Sequence, residues 1–409
     1  MLCFLILHAY CSVKTSLFLN MQRLIITCVL ILFFVSPCFC KRFFMASSNT
    51  YNVIDYGAKG DGETDDSQAF LSAWKKTCST DGESTLVIPS KGVFLLKKNI
   101  LLKGPCQAKN IQIQLEGKII VASQDAWLGD KSSIIWISNV NGLTIDGSGG
   151  LIDGLGSSWW TCNCQRPSVL AFNSCNGLIV SSLSITNSPH AHITINGCEG
   201  ATFSNINIKS PGDSPNTDGI DISSSKRILI KDSNIACGDD CIAIIGDSSD
   251  VNATGIACGP GHGISIGSLG KNNGHDKVEQ VYVYDCSFTN TQNGARIKTL
   301  KNGPGYARNI TYEKITLTQT YHPILIDQNY VGVESEGGVE VSGVTFRGFQ
   351  GTSADDRAIT LACSSKGCFD IVLDQVDIKS SKAGKPAACS CSNAHGTATS
   401  TVPKCVSLS

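Results

Sequence analysis

Between residue 180 and residue 380, short apolar strand-like runs recur with polar punctuation and no helical period between them. Leu183-Ser184-Ile185, Ile206-Asn207-Ile208, Ser233-Asn234-Ile235, Cys286-Ser287-Phe288, Ile315-Thr316-Leu317, Val344-Thr345-Phe346 and Val376-Asp377-Ile378 are alike. Their last residues lie 23, 27, 53, 29, 29 and 32 positions apart. A further unit near Gly255-Ile256 falls inside the widest gap. Within each unit apolar and polar residues alternate with period two, which is the signature of strands with one buried face. Gly, Asn, Asp and Ser separate the runs and supply turns. A unit of this length made only of strands and turns buries its inward residues by stacking on its neighbours. The pattern predicts an all-β parallel β-helix, a solenoid of about ten rungs. An immunoglobulin-like sandwich needs hairpins every 8–12 residues and fits less well.

Upstream, the pattern predicts a strand opening at Tyr51, running toward Ala58, and a turn over Gly60 to Asp66. A helix follows from Gln68 to Cys78, N-capped by Asp66 or Ser67. Its apolar residues Ala69, Phe70, Ala73 and Trp74 fall on one face, and it is placed as a cap on the N-terminal end. Further strands are expected at Thr85 to Ile88, Val93 to Leu96, Ile111 to Leu115 and Ile134 to Ile137. The Ser-, Ala- and Cys-rich segment 383–409 is expected to be irregular. The repeat makes residues 51–409 one elongated domain.

The N-terminus reads as targeting. Met21-Gln22-Arg23 precedes the uncharged run Leu24 to Val35, followed by Ser36-Pro37-Cys38-Phe39-Cys40 and a basic pair. That is a secretory signal peptide by pattern, in a region spanning 1–40. A second apolar stretch, Leu2 to Tyr10, suggests that Met21 is an alternative start; an N-terminal membrane anchor is the competing reading. Residues 41–50 read as a flexible leader. Five of the 20 cysteines lie within residues 1–40, leaving 15 for the mature part. That density in an exported chain implies disulfides and at least one unpaired thiol. Cys363 with Cys368, Cys391 with Cys405, Cys78 with Cys106 and Cys241 with Cys258 are the pairs expected. Asn252-Ala253-Thr254 and Asn309-Ile310-Thr311 are N-glycosylation sequons. The net charge of −1 leaves no basic field over the whole molecule, so nothing points to nucleic acid. Nothing signals oligomerisation, and a monomer outside the membrane is expected once the signal is removed.

Four polar groups stand beside strand-like runs between Asn216 and Lys298. Asn216-Thr217-Asp218 precedes Gly219-Ile220-Asp221-Ile222. Gly238-Asp239-Asp240 precedes Cys241-Ile242, and Gly261-His262-Gly263 precedes Ile264-Ser265-Ile266. Arg296-Ile297-Lys298 completes the set. Each taken alone has a plain reading as a turn, a solvated edge or a surface histidine. Adjacent Asp239 and Asp240 reach one cleft only if the strand starts or bulges there, which Gly238 permits. Arg296 and Lys298 face the same way on a strand, and two like charges side by side call for an anion. Tyr330 ends a later strand and is placed at the same groove. No histidine or cysteine partner sits at zinc spacing, so neither a metal nor a cofactor is expected. Three carboxylates, an imidazole and two cations at rung spacing suit acid/base hydrolysis of an anionic polymer.

These motifs resemble the four signatures of plant polygalacturonases, in glycoside hydrolase family 28: Ser214 to Ile220, Gly238 to Cys241, Cys258 to Ser265 and Arg296 to Lys298. The resemblance spans about Tyr51 to Cys405. It implies a right-handed parallel β-helix acting in the plant cell wall. The implied reaction is hydrolysis of α-1,4 galacturonosyl links of pectin, with inversion and without a metal. It makes Asp239 the general acid, with Asp218 and Asp240 holding the water and His262 supporting the acid. It assigns substrate binding to Asn216, Arg296, Lys298 and Tyr330. Cys237, Val331 and a shortened Trp159 to Cys164 segment depart from the family pattern, away from the catalytic positions. A hydrolase of a related pectic polymer such as rhamnogalacturonan, and a non-catalytic wall-binding β-helix, are the alternatives. A calcium-dependent pectate lyase would need an acidic cage that the sequence does not show.

Overall fold

The structure is a computed structural model and describes residues 49–271, 275–300, 303–330 and 338–408. The expected signal region and nearly all of the expected leader lie outside the described residues. Among those described, every assigned strand pairing is parallel, in a sheet of 19 strands and a sheet of 11. The 11-stranded sheet takes one strand from each rung in chain order, which gives the solenoid its ladder. The coil is a right-handed parallel β-helix.

The ladder is held by two inward columns. One runs Ile193, Ile220, Ile242, Ile264, Ala295 and Ile324, and the other Ile195, Ile222, Ile244, Ile266, Ile297 and Ile326. All twelve are fully buried. β-branched side chains pack well on a pleated surface, so stacked isoleucines fix the register of each rung on the last. A slip by one residue would turn both columns outward. The strands that carry these columns are labelled β1 (Ile193–Asn196), β2 (Ile220–Ser223), β3 (Ile242–Ile244), β4 (Ile264–Leu269), β5 (Asn293–Thr299) and β6 (His322–Asp327).

Helix α1 spans Ser67–Cys78 and buries Ala69, Phe70, Ala73 and Trp74, the face expected. Phe70 meets Phe94 edge-on at 5.8 Å, and the Trp74 indole donates to the Lys103 carbonyl at 3.3 Å. Asp66 holds the N-cap position, but its carboxylate does not cap the helix. It accepts the amides of Lys59 and Gly60 instead, at 2.6 and 3.2 Å. The stretch from Tyr51 is only briefly extended: the first strand is Asn49–Asn52, and Val53–Tyr56 forms a 3₁₀ turn begun by the Asn52 side chain. The expected turn at Gly60 to Asp66 contains a strand, Asp61–Asp65, paired irregularly with Val93–Leu96. Nor is the C-terminal segment irregular throughout: Ala388–Ser392 and Ala394–Val402 add strands to the two sheets. The exposed edge of the preceding rung pairs with any extended backbone, and the threonines of this tail favour that geometry.

Disulfides join Cys78 to Cys106, Cys241 to Cys258 and Cys363 to Cys368, as the sequence suggests. Cys405 pairs with Cys389 rather than Cys391. The period-2 alternation puts both Cys389 and Cys391 on the same side of their strand, with sulfurs 3.6 Å apart, so sequence spacing cannot choose between them. Cys162 pairs with Cys164, within the segment that departs from the family pattern.

Candidate active site

Register explains why the four polar groups converge. Ile220, Ile242, Ile264 and Ala295 stand side by side on β2 to β5. Two residues before each stand Asp218, Asp240, His262 and Asn293, so Asp218, Asp240 and His262 follow one another up a single edge of the coil. Backbone bonds lock that edge, from Gly219 N to Asp240 O at 2.8 Å and from Cys241 N to Gly263 O at 2.9 Å. Gly238 makes the neighbouring acid possible: a Cβ there would lie 1.9 Å from the Ser214 carbonyl oxygen. Gly263 sits at φ +89°, and a Cβ would meet the Gly294 carbonyl oxygen at 2.3 Å, so the chain beside His262 also requires glycine.

Asp239 is the acid at the mouth, its side chain 19% exposed beside a His262 ring that is 30% exposed. Its Oδ1 takes the His262 Nδ1 at 2.9 Å and the Asp240 amide at 3.0 Å, and its Oδ2 accepts the Asn216 amide at 3.1 Å. Burial pushes this carboxyl up, but the hydrogen bond and charge of His262, then Lys298 and Asn216, outweigh it and hold it at about 2. In the resting site Asp239 is therefore ionised and accepts from His262 Nδ1.

Asp240 lies deeper and is fully buried. Its Oδ1 takes the Ser265 hydroxyl at 2.8 Å and Nη2 of Arg296, and its Oδ2 takes Nζ of Lys298 at 2.8 Å. Arg296 also donates from Nε to the Ser265 oxygen at 2.9 Å. The anion demanded by two neighbouring cations is thus supplied within the protein. Tyr330 lies over the pair, 5.2 Å from the Lys298 nitrogen and 5.9 Å from the Arg296 guanidinium.

Asp218 has a different setting. Burial, then the neighbouring charges of Asp221, Asp239 and Asp240, push its carboxyl well up, opposed by Lys298. Asp221, one outward position along β2, is pushed up to about 7 by burial and then by Asp240 and Asp239. Its Oδ1 is buried without a hydrogen-bond partner among the described residues. A proton retained between these two acids removes the repulsion. Beneath them His192 is fully buried: its backbone amide and Nδ1 both meet the Asp218 carbonyl at 2.8 Å, and its Nε2 meets the Ser210 hydroxyl at 2.8 Å. Burial lowers this imidazole to about 4, which keeps it neutral.

All eight residues expected at the site gather here. Sequence reasoning passed over Asp221 and Ser265, although the alternation of Ile220-Asp221-Ile222 and Ile264-Ser265-Ile266 marks both as outward-facing. It also passed over Arg166, whose Nη2 donates to Asn216 Oδ1 at 3.2 Å; nothing in its local sequence points to β2. His192 carries no local signal either. Ligand-type atoms of Asp239, Asp240 and His262 lie within 4.8 Å of one another, close enough for one ion. Asp240 is already matched by two cations and Asp239 by His262, so these residues do not fit a resident metal.

Residues 78–402 match the glycosyl hydrolases family 28. A probable polygalacturonase of Arabidopsis thaliana is 45% identical, over 89% of this chain and 82% of its own length. A polygalacturonase of Prunus persica is 39% identical, over 86% of this chain and 92% of its own. Among solved structures, the endo-xylogalacturonan hydrolase of Aspergillus tubingensis superposes with a TM-score of 0.75 at 26% identity, over 86% of this chain and 99% of that one. Together with the stacked acids on one edge of the coil, a match of this extent means that the chain belongs to the glycosyl hydrolases family 28.

Proposed function

We propose that this protein is a secreted polygalacturonase that hydrolyses α-1,4-galacturonosyl links of pectin in the plant cell wall, with inversion. The observation that carries the reading is Asp239, reachable from solvent at the mouth of the site and bonded at once to His262 and Asn216. Beside it the site keeps a second carboxyl, Asp218, in a different protonation state. Two acids pushed apart in proton affinity are what glycoside hydrolysis needs. The polygalacturonases among the relatives supply the substrate class.

In this reading the His262–Asp239 pair is the acid as a unit. The proton it donates passes through Asp239 Oδ1, 2.9 Å from His262 Nδ1, as the leaving glycosidic oxygen takes up negative charge. Anionic sugar units entering the site raise the Asp239 carboxyl and favour that transfer. Asp218 and Asp240 hold the attacking water on the far side of the sugar, and an ionised carboxylate of this pair takes the proton that the water loses as it attacks. Arg296 and Lys298 fix Asp240 and offer one net positive charge to a substrate carboxylate, with Tyr330 shaping that position. Export through the signal region at 1–40, a mature domain from residue 51 and glycans on Asn252 and Asn309 complete the proposal. Asn309 is exposed, whereas Asn252 is half-buried within its strand.

Product analysis on polygalacturonic acid tests it. Reducing ends without ultraviolet absorbance, insensitive to chelator, and a product born with inverted anomeric configuration are the expected result. Absorbance that requires calcium overturns it in favour of a lyase. Activity confined to xylogalacturonan or rhamnogalacturonan moves the protein to a related pectic substrate.

A further inference from the structure

Arg296 and Lys298 share Asp240, so together they present one net positive charge. A polymer with a carboxylate on every unit needs cations at more than one position along the groove. A cavity of about 360 Å³ lies on the N-terminal side of the site, lined by Ser132, Cys164, Gln165, Arg166, Ser168 and His190. Ser168 stands two residues before Leu170, and Leu170 is in register with Ile193 and Ile220. Ser168 therefore holds the edge position of Asp218 two rungs earlier, about 10 Å away at the spacing of paired strands.

Resting on the polygalacturonase reading, we propose that Arg166 and His190 form a carboxylate-binding subsite for a sugar unit of the acidic chain, next to Asp239 on the N-terminal side. The Arg166 guanidinium is anchored by Nη1 to the carbonyls of Pro189 and Pro215, at 3.0 and 2.7 Å, and by Nη2 to Asn216 Oδ1 at 3.2 Å. Its Nε and one Nη2 hydrogen have no partner among the described residues. An anchored guanidinium with two free donors suits a carboxylate. The His190 ring likewise has no hydrogen-bond partner among the described residues. Burial, and then the charge of Arg166, lower it, so it enters as a neutral ring with one donor and one acceptor. The subsite is also wired to the chemistry: Arg166 holds the Asn216 oxygen, which leaves the Asn216 nitrogen to donate to Asp239 Oδ2 at 3.1 Å.

The test is calorimetric binding of a galacturonate oligomer and of its fully methyl-esterified form, in the Asp239→Asn background so that neither is consumed. Arg166→Gln is expected to weaken the acid by about 10- to 150-fold, the range of a hydrogen-bonded charge contact, and to leave the ester nearly unchanged. Arg166→Lys keeps the charge and recovers part of the loss. His190→Gln, which disturbs no anchoring bond, weakens the acid by a few-fold. Equal weakening of acid and ester by Arg166→Gln, with no effect of His190→Gln, would make Arg166 a loop brace and overturn the subsite. So would unchanged binding in every variant, or binding of neither form. Hydrolysis is scored separately in the unmutated enzyme. Failure there overturns the activity, while the acid–ester difference still decides the subsite.

Discussion

The site has two halves built from the same residue type in opposite electrical settings. At the start of β2, Asp218 and Asp221 lie close to each other and to the other acids; their carboxyls are pushed up, and burial is the leading cause for both. One rung on, Asp240 is more deeply buried than either, yet it is matched by Arg296, Lys298 and Ser265. The cations come from 56 and 58 positions along the chain, but from only two rungs away in space. Burial alone, then, does not set the charges that an acid meets here; the two rungs stacked above it do. Asp239 sits between the halves and takes its state from His262.

Exchanging the properties of the two halves should have graded effects. Asp239→Asn, at the boundary, removes the acid and is expected to lower kcat by about 10²–10⁴-fold while oligogalacturonate binding persists. Near-normal turnover in steady-state assays would move the acid to another residue. Arg296→Ala turns the matched half into something like the unmatched one. Breaking a buried pair by removing one partner should cost about 3–5 kcal/mol in denaturant unfolding. A loss under about 1 kcal/mol would mean that Lys298 alone suffices.

Asp221→Asn relieves the unmatched half. The folded pKa of Asp221 is raised, to about 7, so between about 4 and 7 the unfolded chain releases this proton and the fold retains it. Its contribution to stability is fully present below about 4 and is lost as pH rises to about 7, on the order of 1 kcal/mol per pH unit. The asparagine variant should show a flatter stability profile across that window, read by thermal unfolding at a series of pH values. An unchanged profile would place the retained proton elsewhere, on Asp218. The smallest effect belongs to Thr217, whose buried hydroxyl accepts the Gly238 amide at 2.9 Å and so ties the Asp218 loop to the Asp239 loop. Thr217→Val leaves that amide unpaired and should cost about 1–3 kcal/mol, with kcat falling more than KM rises. A change in KM alone would show that the tie positions substrate rather than the acids.

The sequence by itself determined the architecture and named eight residues that the fold gathers in one place. Period-2 alternation in units of 23 to 32 residues can bury its apolar face only by stacking, and the isoleucine columns follow from it. The order of the polar groups along the chain then becomes their order along one edge. The sequence could not read the ends of the solenoid, because the last rung offers open backbone that pairs with a weakly apolar Thr- and Ser-rich tail. It could not choose Cys389 over Cys391, two residues apart and both within reach of Cys405. It expected Arg296 and Lys298 to meet an anion, but not that Asp240 supplies it. Which acid holds a proton, what lies beneath Asp218 and which cation reaches Asn216 were decided only by the tertiary structure. Those are properties of distance and burial between rungs, and a one-dimensional pattern of apolar and polar residues carries neither.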